Sequence, residues 1–349
     1  MKILLITLSI IFIISVMAPL SKREQWWIRG FDFPYVQFTV LGFFCVIEWS
    51  LIHQPYGWLE VFICGITFVL FIYRLSVIYP YTKLKRPSIP WSQDGNEKIR
   101  VVSANVLMSK NNYEGCMDVI ETHDPDILFL VEVDAKWKNA LNEKLGKTFP
   151  FQILKPLDNT YGMILYSKYK LTDSSIQFLV EKDVPSIHTK VELPDGDVIQ
   201  FYGLHPKPPA PGENDVSTPR DAELVTVGKL AQKSKQPVIV AGDMNDVAWS
   251  HTTRLFMRVS GLLDPRMGRG FFNTFHAGRP LLRWPLDHFF FSHHFRIARL
   301  ERLKNFHSDH YPILVDITLN PSVHALTSKE HATHEDLTEA REKLDKVDD

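Results

Sequence analysis

The stretch VIVAGDMNDVAWS at 238–250 runs from apolar residues into Gly242 and then presents Asp243 and Asn245 with only Met244 between them. Other apolar runs end in the same kind of residue. VVSANV delivers Asn105, DILFLVEVD delivers Glu132, FYGLHPKPP delivers His205, and PLDHFFF opens on Asp287. NFHSDHYPILVDI sets Ser308, Asp309 and His310 just ahead of the last such run. Singly, each is more often a turn or cap residue than a functional one. As a set, the oxygen donors of Asn105, Glu132, Asp243, Asn245 and Asp309 suit a hard divalent cation, Mg²⁺ or Mn²⁺, and no cysteine and histidine spacing suits structural zinc. Histidines beside carboxylates suit proton transfer and stabilisation of a phosphoryl group. Alternate residues at a strand end share a side, so Asp243 and Asn245 are expected to point the same way.

These residues need strands to carry them. Short apolar runs at 99–106, 127–133, 163–166, 198–204, 238–241, 286–291 and 313–317 read as buried strands. Helical periodicity falls between them at 113–122, 135–145 and 219–231, the last opening with Thr218 as N-cap, Pro219 at the first helical position and Asp221 completing a capping box. Strands and helices interleaved in this way indicate an α/β sandwich.

In order and spacing, Asn105, Glu132, the GDMN of 242–245 and the SDH of 308–310 resemble the endonuclease/exonuclease/phosphatase superfamily, which has the deoxyribonuclease I fold. The resemblance spans about 98–320 and implies a four-layer α-β-β-α sandwich. WWIRGFDFP, NTYGM, LHPKPP, STPRDAEL and GDMNDVAWSHTTRLF further resemble a bacterial, membrane-anchored branch. Carried over position by position, Glu132 holds the divalent ion, with Asn105 beside it and Asp309 in its sphere. Asp243 and Asn245 orient the attacking water and a phosphate oxygen. His310, oriented by Asp287, acts on the water or the phosphate, and His205 contacts the phosphate opposite the metal, as stabiliser or general acid. Either Asp243 or His310 is the base. His205 followed by Pro206-Lys207-Pro208-Pro209, and Asp246 directly after Asn245, depart from better-known members.

The amino-terminal 1–80 is of another kind. Residues 3–20 carry no charge, 35–53 carry only Glu48, and 58–79 carry Glu60 and Arg74. Each run is close to the ~20 residues that cross a bilayer core as a helix, so three spans are expected. Trp26, Trp27, Trp49 and Trp58 stand at their ends as an interfacial belt, with Glu48 as an anchor near the hairpin at 53–57. For the first run a cleaved signal peptide is the alternative, since Lys2 precedes it and Val16-Met17-Ala18 closes it. Basic residues collect on the face of Lys22, Arg23, Arg29, Arg74, Lys83, Lys85 and Arg86, which places everything after residue 80 in the cytoplasm of a bacterial inner-membrane protein. A first span that enters amino terminus inward reverses that side. Segment 81–97 reads as a linker, and the polar 321–349 as a disordered tail or frayed helix.

Between 98 and 320 the 27 Lys and Arg are matched by 26 Asp and Glu, short of the basic balance of a duplex-binding protein. The 251–304 stretch, however, has nine Arg and one Lys against Asp264, Asp287 and Glu301. It is either a solvated arginine face or an anion-attracting rim. The expected activity is hydrolysis of a phosphodiester, lipid-derived or nucleic acid, by in-line water attack; the alternative is a catalytically silent module that binds a phosphorylated ligand.

Overall fold

A computed structural model describes residues 2–51, 56–93, 97–320 and 332–348. The expected hairpin at 53–57 and the start of the tail at 321–331 fall largely or wholly outside them. The chain opens with helices α1 (Lys2–Leu20), the short α2 (Trp26–Arg29), α3 (Tyr35–Leu51) and α4 (Trp58–Ile78). Two of these, α1 and α4, are long and apolar enough to cross a membrane; α3 qualifies only if joined to the preceding 26–32 segment across a 66° bend. Lys2 meets Glu60 at 3.4 Å, so the starts of α1 and α4 share one end of the bundle. Apolar side chains such as Ile11, Phe44, Phe62 and Val69 face outward along it. Trp26, Trp27 and Trp58 are exposed, but Trp49 is 2 % exposed, because its indole Nε1 donates to Ser9 Oγ at 3.0 Å inside the bundle.

Two sheets follow, with helices on their outer faces. The first contains β1 (Ile99–Asn105), β2 (Ile127–Val131), β3 (Phe151–Lys155) and β4 (Met163–Ser167). The second contains β5 (Lys170–Gln177), β6 (Ser186–Glu192), β7 (Val198–Leu204), β8 (Val238–Asp243) and β9 (Asp287–Phe291). Strands β10 (Phe295–Arg302) and β11 (Ile313–Leu319) return to the first sheet, giving the orders β10-β11-β1-β2-β4-β3 and β5-β6-β7-β8-β9. Between the sheets lies one core in which Val101, Phe129 and Val131 meet Phe201, Ala241 and Phe289. The outer face of the first sheet is covered by α5 (Tyr113–His123) and α6 (Ala135–Leu145), and that of the second by α7 (Thr218–Lys233) and α8 (His251–Ser260). This is the four-layer α-β-β-α sandwich of the deoxyribonuclease I-like type.

Several expectations are revised. Ser217, not Thr218, caps α7, and no capping box forms, because the Asp221 carboxylate is taken by Ser217 Oγ, Arg220 and Lys343. Residues 81–93 of the expected linker are laid against the sandwich: Ile89 is fully buried, Arg269 donates to the Ile89 carbonyl, and Ser92 N donates to the Ile297 carbonyl along the open edge of β10. Covering an edge strand in this way satisfies backbone groups that would otherwise template pairing. The tail holds a helix, α9 (His334–Asp348), docked on α7 and α8. Its charges turn inward, with Arg258 ion-paired to Asp336, a buried Lys343 at 2.8 Å from Asp221, and His251 hydrogen-bonded to Glu339.

The amino-terminal helices are fastened to the sandwich. Trp249 Nε1 donates to the Asp32 carbonyl at 2.8 Å and Tyr81 OH to the Ala248 carbonyl at 2.6 Å. Tyr35, Val77, Ile78 and Tyr81 pack with Val247, Trp249 and Leu286.

Candidate active site

Strand parity assembles the site. In β1 the residues facing the inter-sheet core are Ile99 and Val101, in β7 Ile199 and Phe201, in β8 Ile239 and Ala241, and in β9 Phe289 and Phe291. Continuing each alternation to the strand end puts Asn105, His205, Asp243 and Asp287 on that same inner face. All four are nearly fully buried at one end of the cleft. The β8–β9 register pairs Asp243 directly with Asp287. Gly242 before it has φ +138°, and a Cβ there would lie 2.0 Å from the Leu204 carbonyl oxygen, so only glycine lets β7 and β8 run together to that point.

Glu132 arrives differently. It lies one residue past β2, where simple alternation would turn it away from Val131 and the core. Its φ of +61° is left-handed, a conformation L residues hold only where surroundings enforce it. The turn is braced by Gly162, whose carbonyl accepts Val133 N at 3.0 Å, and a Cβ on Gly162 would lie 2.0 Å from the Val133 oxygen. Asn105 Nδ2 then donates to Glu132 Oε1 at 2.7 Å and to Asp243 Oδ2 at 3.1 Å, linking the two sheets. Burial raises the Glu132 carboxyl above its ordinary range, against the pull of His205, Asn105 and His310.

His310 stands between two carboxylates. Its Nδ1 donates to Asp287 Oδ2 at 2.7 Å, and its Nε2 lies 3.5 Å from Asp243 Oδ2. Burial opposes the imidazolium, but Asp287 and Asp243 outweigh it and raise the group to about 10. Asp243 is itself raised, by burial first, offset in part by His310. The SDH turn is pinned by Ser308 Oγ donating to the Asn105 carbonyl at 2.8 Å and by Asn305 Nδ2 donating to the carbonyls of Ser308 and His310. His205 Nδ1 lies 3.1 Å from the Asp243 carbonyl oxygen, which can only accept, so Nδ1 donates and fixes the ring.

Asn245 does not follow strand alternation. Strand β8 ends at Asp243, and Asn245 has φ +50° in a turn closed by its own N–H on Asp243 Oδ1. Its Nδ2 donates to the Pro206 carbonyl at 3.0 Å, holding the 205–206 corner against the 243–245 turn.

Four carboxylates, Glu132, Asp243, Asp287 and Asp309, thus converge on a buried end of the cleft. The oxygens Asp287 Oδ1 and Asp309 Oδ1 are buried without a hydrogen-bond partner among the described residues. Such a donor set fits a hard divalent cation, which would answer both the excess charge and the unpaired oxygens. Asp243, Asp287 and His310 offer ligand atoms within 4.8 Å of one another and could hold a metal ion. Two of these atoms already satisfy each other, however, at Asp287 Oδ2 and His310 Nδ1.

A layer of supporting residues was not evident in the sequence. Arg220 is buried, donates to the Asn245 carbonyl at 2.8 Å, and is neutralised by Asp221 and Asp246. The Asp246 carbonyl accepts His288 Nε2 at 2.8 Å, and His288 Nδ1 accepts from Arg266. Tyr161, in the quoted NTYGM, places its ring 5.3 Å from that of His205 and donates to Glu213. Lys207 is tied to Asp183 and Glu181. The arginine-rich stretch divides. Arg258, Arg266 and Arg269 are structural, whereas Arg283 and Arg302 stack over Tyr311, next to His310.

A profile of the Endonuclease/Exonuclease/phosphatase family matches residues 102–310. No curated protein matches the chain by sequence. Among solved structures, a humanised D. rerio TDP2 superposes with TM-score 0.53 at 16% identity, over 63% of this chain and 99% of that one. The human Nocturnin catalytic domain with bound sulfate gives 0.52 at 19%, over 65% and 97%. An endonuclease/exonuclease/phosphatase from Beutenbergia cavernae gives 0.53 at 16%, over 64% and 72%. At these identities the likeness is one of fold.

Proposed function

This chain belongs to the endonuclease/exonuclease/phosphatase family, and from that membership we propose that it is a membrane-anchored, divalent-metal-dependent phosphoesterase that cleaves a phosphodiester. The observation that carries the reading is the hydrogen-bonded array Asp287–His310 facing Asp243, set beside Glu132 and Asn105 at the end of the cleft. Glu132, Asn105 and Asp309 would hold the ion, Mg²⁺ or Mn²⁺, which when bound supplies neutralising charge to the phosphoryl and leaving oxygens.

The remaining steps belong to the chain's own groups. His310, kept protonated by two carboxylates, offers Nε2–H to a phosphoryl oxygen and stabilises charge as it develops. That leaves Asp243 as the proton acceptor for the attacking water, its basicity raised by burial. Asp287 fixes the imidazole through Nδ1 and holds no substrate itself. His205, its ring fixed through Nδ1, would turn its other nitrogen to the phosphate as stabiliser or general acid, and Asn245 keeps His205 and Asp243 in register through Pro206. Burying α1, α3 and α4 in a bilayer would hold this site at a membrane surface; units 1–80, 81–97 and 98–320 act as anchor, strap and enzyme.

A screen of the full chain with Mg²⁺ or Mn²⁺ against nucleotides, single- and double-stranded DNA, sugar phosphates and phospholipid vesicles tests the reading. Hydrolysis of at least one class, abolished by chelation, is the expected result. Binding without hydrolysis of any class would point to the silent phospho-ligand module instead.

A further inference from the structure

The loop at 276–283, HAGRPLLR, touches both the active site and the membrane bundle. At one end, Ala277 N donates to the Asp309 carbonyl at 2.7 Å, so the loop is bonded to the SDH turn that carries His310. At its tip, the Leu281 carbonyl accepts Gln37 Nε2 at 2.7 Å. Gln37 lies in the first turn of α3, two residues past Tyr35, or about 3 Å along the helix axis. That is the depth of a headgroup interface if α3 enters a bilayer there. The tip is apolar and open, with Leu281 86 % and Leu282 44 % exposed, and Val40 and Phe44 continue that exposed surface along α3.

The flanks of the loop are basic and face a groove. A cavity of about 430 Å³ is bounded by Gly278 and His276 on the loop, by Lys110 and His307, and by Asp309 and Tyr311 of the site. Arg283 Nη2 is fixed on the Ala277 carbonyl at 2.7 Å with its guanidinium over Tyr311, and Arg302 covers the same ring. Exposed leucines framed by arginines, on a loop held at the end of a membrane helix, are the composition of a segment that lies in a lipid interface.

We propose that the 276–283 loop is a bilayer-contacting lip of the substrate groove, with Leu281 and Leu282 entering the lipid surface beside α3, and that the phosphodiester cleaved here belongs to a membrane lipid taken from that surface. The assignment rests on the phosphoesterase reading above and narrows it. Water adds its oxygen to phosphorus, the phosphorus–oxygen bond to one ester group breaks, and the leaving oxygen takes a proton, so headgroup and lipid part separate, one carrying the phosphate and the other a hydroxyl.

The test uses the full chain in vesicles of phosphatidylcholine and phosphatidylglycerol. A fluorophore on Leu281→Cys should be quenched by brominated lipid, whereas one on Gln177→Cys, at the exposed end of β5, should not. Equal and negligible quenching at both overturns the lip. In the same vesicles, release of headgroup from the phospholipids should fall tenfold or more in Leu281→Asp/Leu282→Asp, with hydrolysis of water-soluble bis(p-nitrophenyl) phosphate unchanged. If bis(p-nitrophenyl) phosphate and a single-stranded oligonucleotide are cleaved but vesicle phospholipid is not, the lipid assignment falls and the phosphoesterase stands. If none of the three is cleaved, both fall.

Discussion

At the scale of residues, the account depends on His310 and Asp287 acting as one unit. Their Nδ1–Oδ2 bond of 2.7 Å fixes the tautomer and supports the charge. His310→Ala is therefore expected to lower turnover by about 10²–10⁴-fold. Asp287→Asn keeps a hydrogen-bonding group and should cost less, roughly 10–100-fold. The double variant should be hardly slower than His310→Ala alone, since members of one unit are non-additive. Steady-state rates of the four proteins decide this, and strictly multiplicative losses would separate the two residues. Asn105, His205, Asp243 and Asp287 were legible as a group because each continues an inward-facing alternation that the sequence displays. Glu132 and Asn245 were legible as types but not in orientation, because left-handed turns at +61° and +50° place them and hydrophobic period carries no trace of such turns. Arg220 and His288 were not legible, because their partners are backbone carbonyls contributed by the folded 243–246 turn.

At the scale of elements, strands that run apolar were readable, β9 at a sheet edge included, whereas the more polar β3, β5, β6 and β10 were not. KLTDSSIQ of β5 is half-exposed and polar, and FRIARLER of β10 lies on the rim of the other sheet, so neither shows a buried run. The same holds for α9, whose polar, charged sequence reads as a disordered tail or frayed helix, and which docks through ion pairs around a small apolar contact of Ala340 and Leu344 with Val225, Leu255 and Val259. Glu339 is pushed up by burial but held at about 2 by hydrogen bonds from His251 and Lys22, and Asp336 likewise by Arg258 and Thr333. Both are depressed, so their stabilisation is present above the ordinary values of 4.5 and 3.8 and is lost as pH falls through about 2. A fluorophore on Thr338→Cys should report α9 loosening across that interval, and a signal flat from pH 5 to 2 would contradict the ion-paired dock. Lys343→Met, which strips a buried cation from Asp221, should destabilise by on the order of 2 kcal/mol in thermal unfolding, less than a fully orphaned charge because Arg220 remains.

At the scale of the whole molecule, a catalytic sandwich is fastened to an apolar bundle through Trp249, Tyr81 and the 26–34 segment. The proposed anchor predicts that the full chain stays with membranes through alkaline carbonate extraction; release into the supernatant would remove the spans from the account. Protease protection of sealed vesicles would assign the side on which the sandwich lies. The central claim, that the cleft-end cluster hydrolyses phosphodiesters with a divalent ion held by Glu132, is met most directly by one titration. Hydrolysis of bis(p-nitrophenyl) phosphate by the full chain is followed against Mg²⁺ concentration, for the parent chain, Glu132→Gln and Asp243→Asn. The account predicts saturable activation of the parent, a shift to higher Mg²⁺ with turnover down by about 10²-fold in Glu132→Gln, and loss of turnover in Asp243→Asn at every concentration. Turnover that survives chelation, or a Glu132→Gln curve that overlays the parent's, would contradict it.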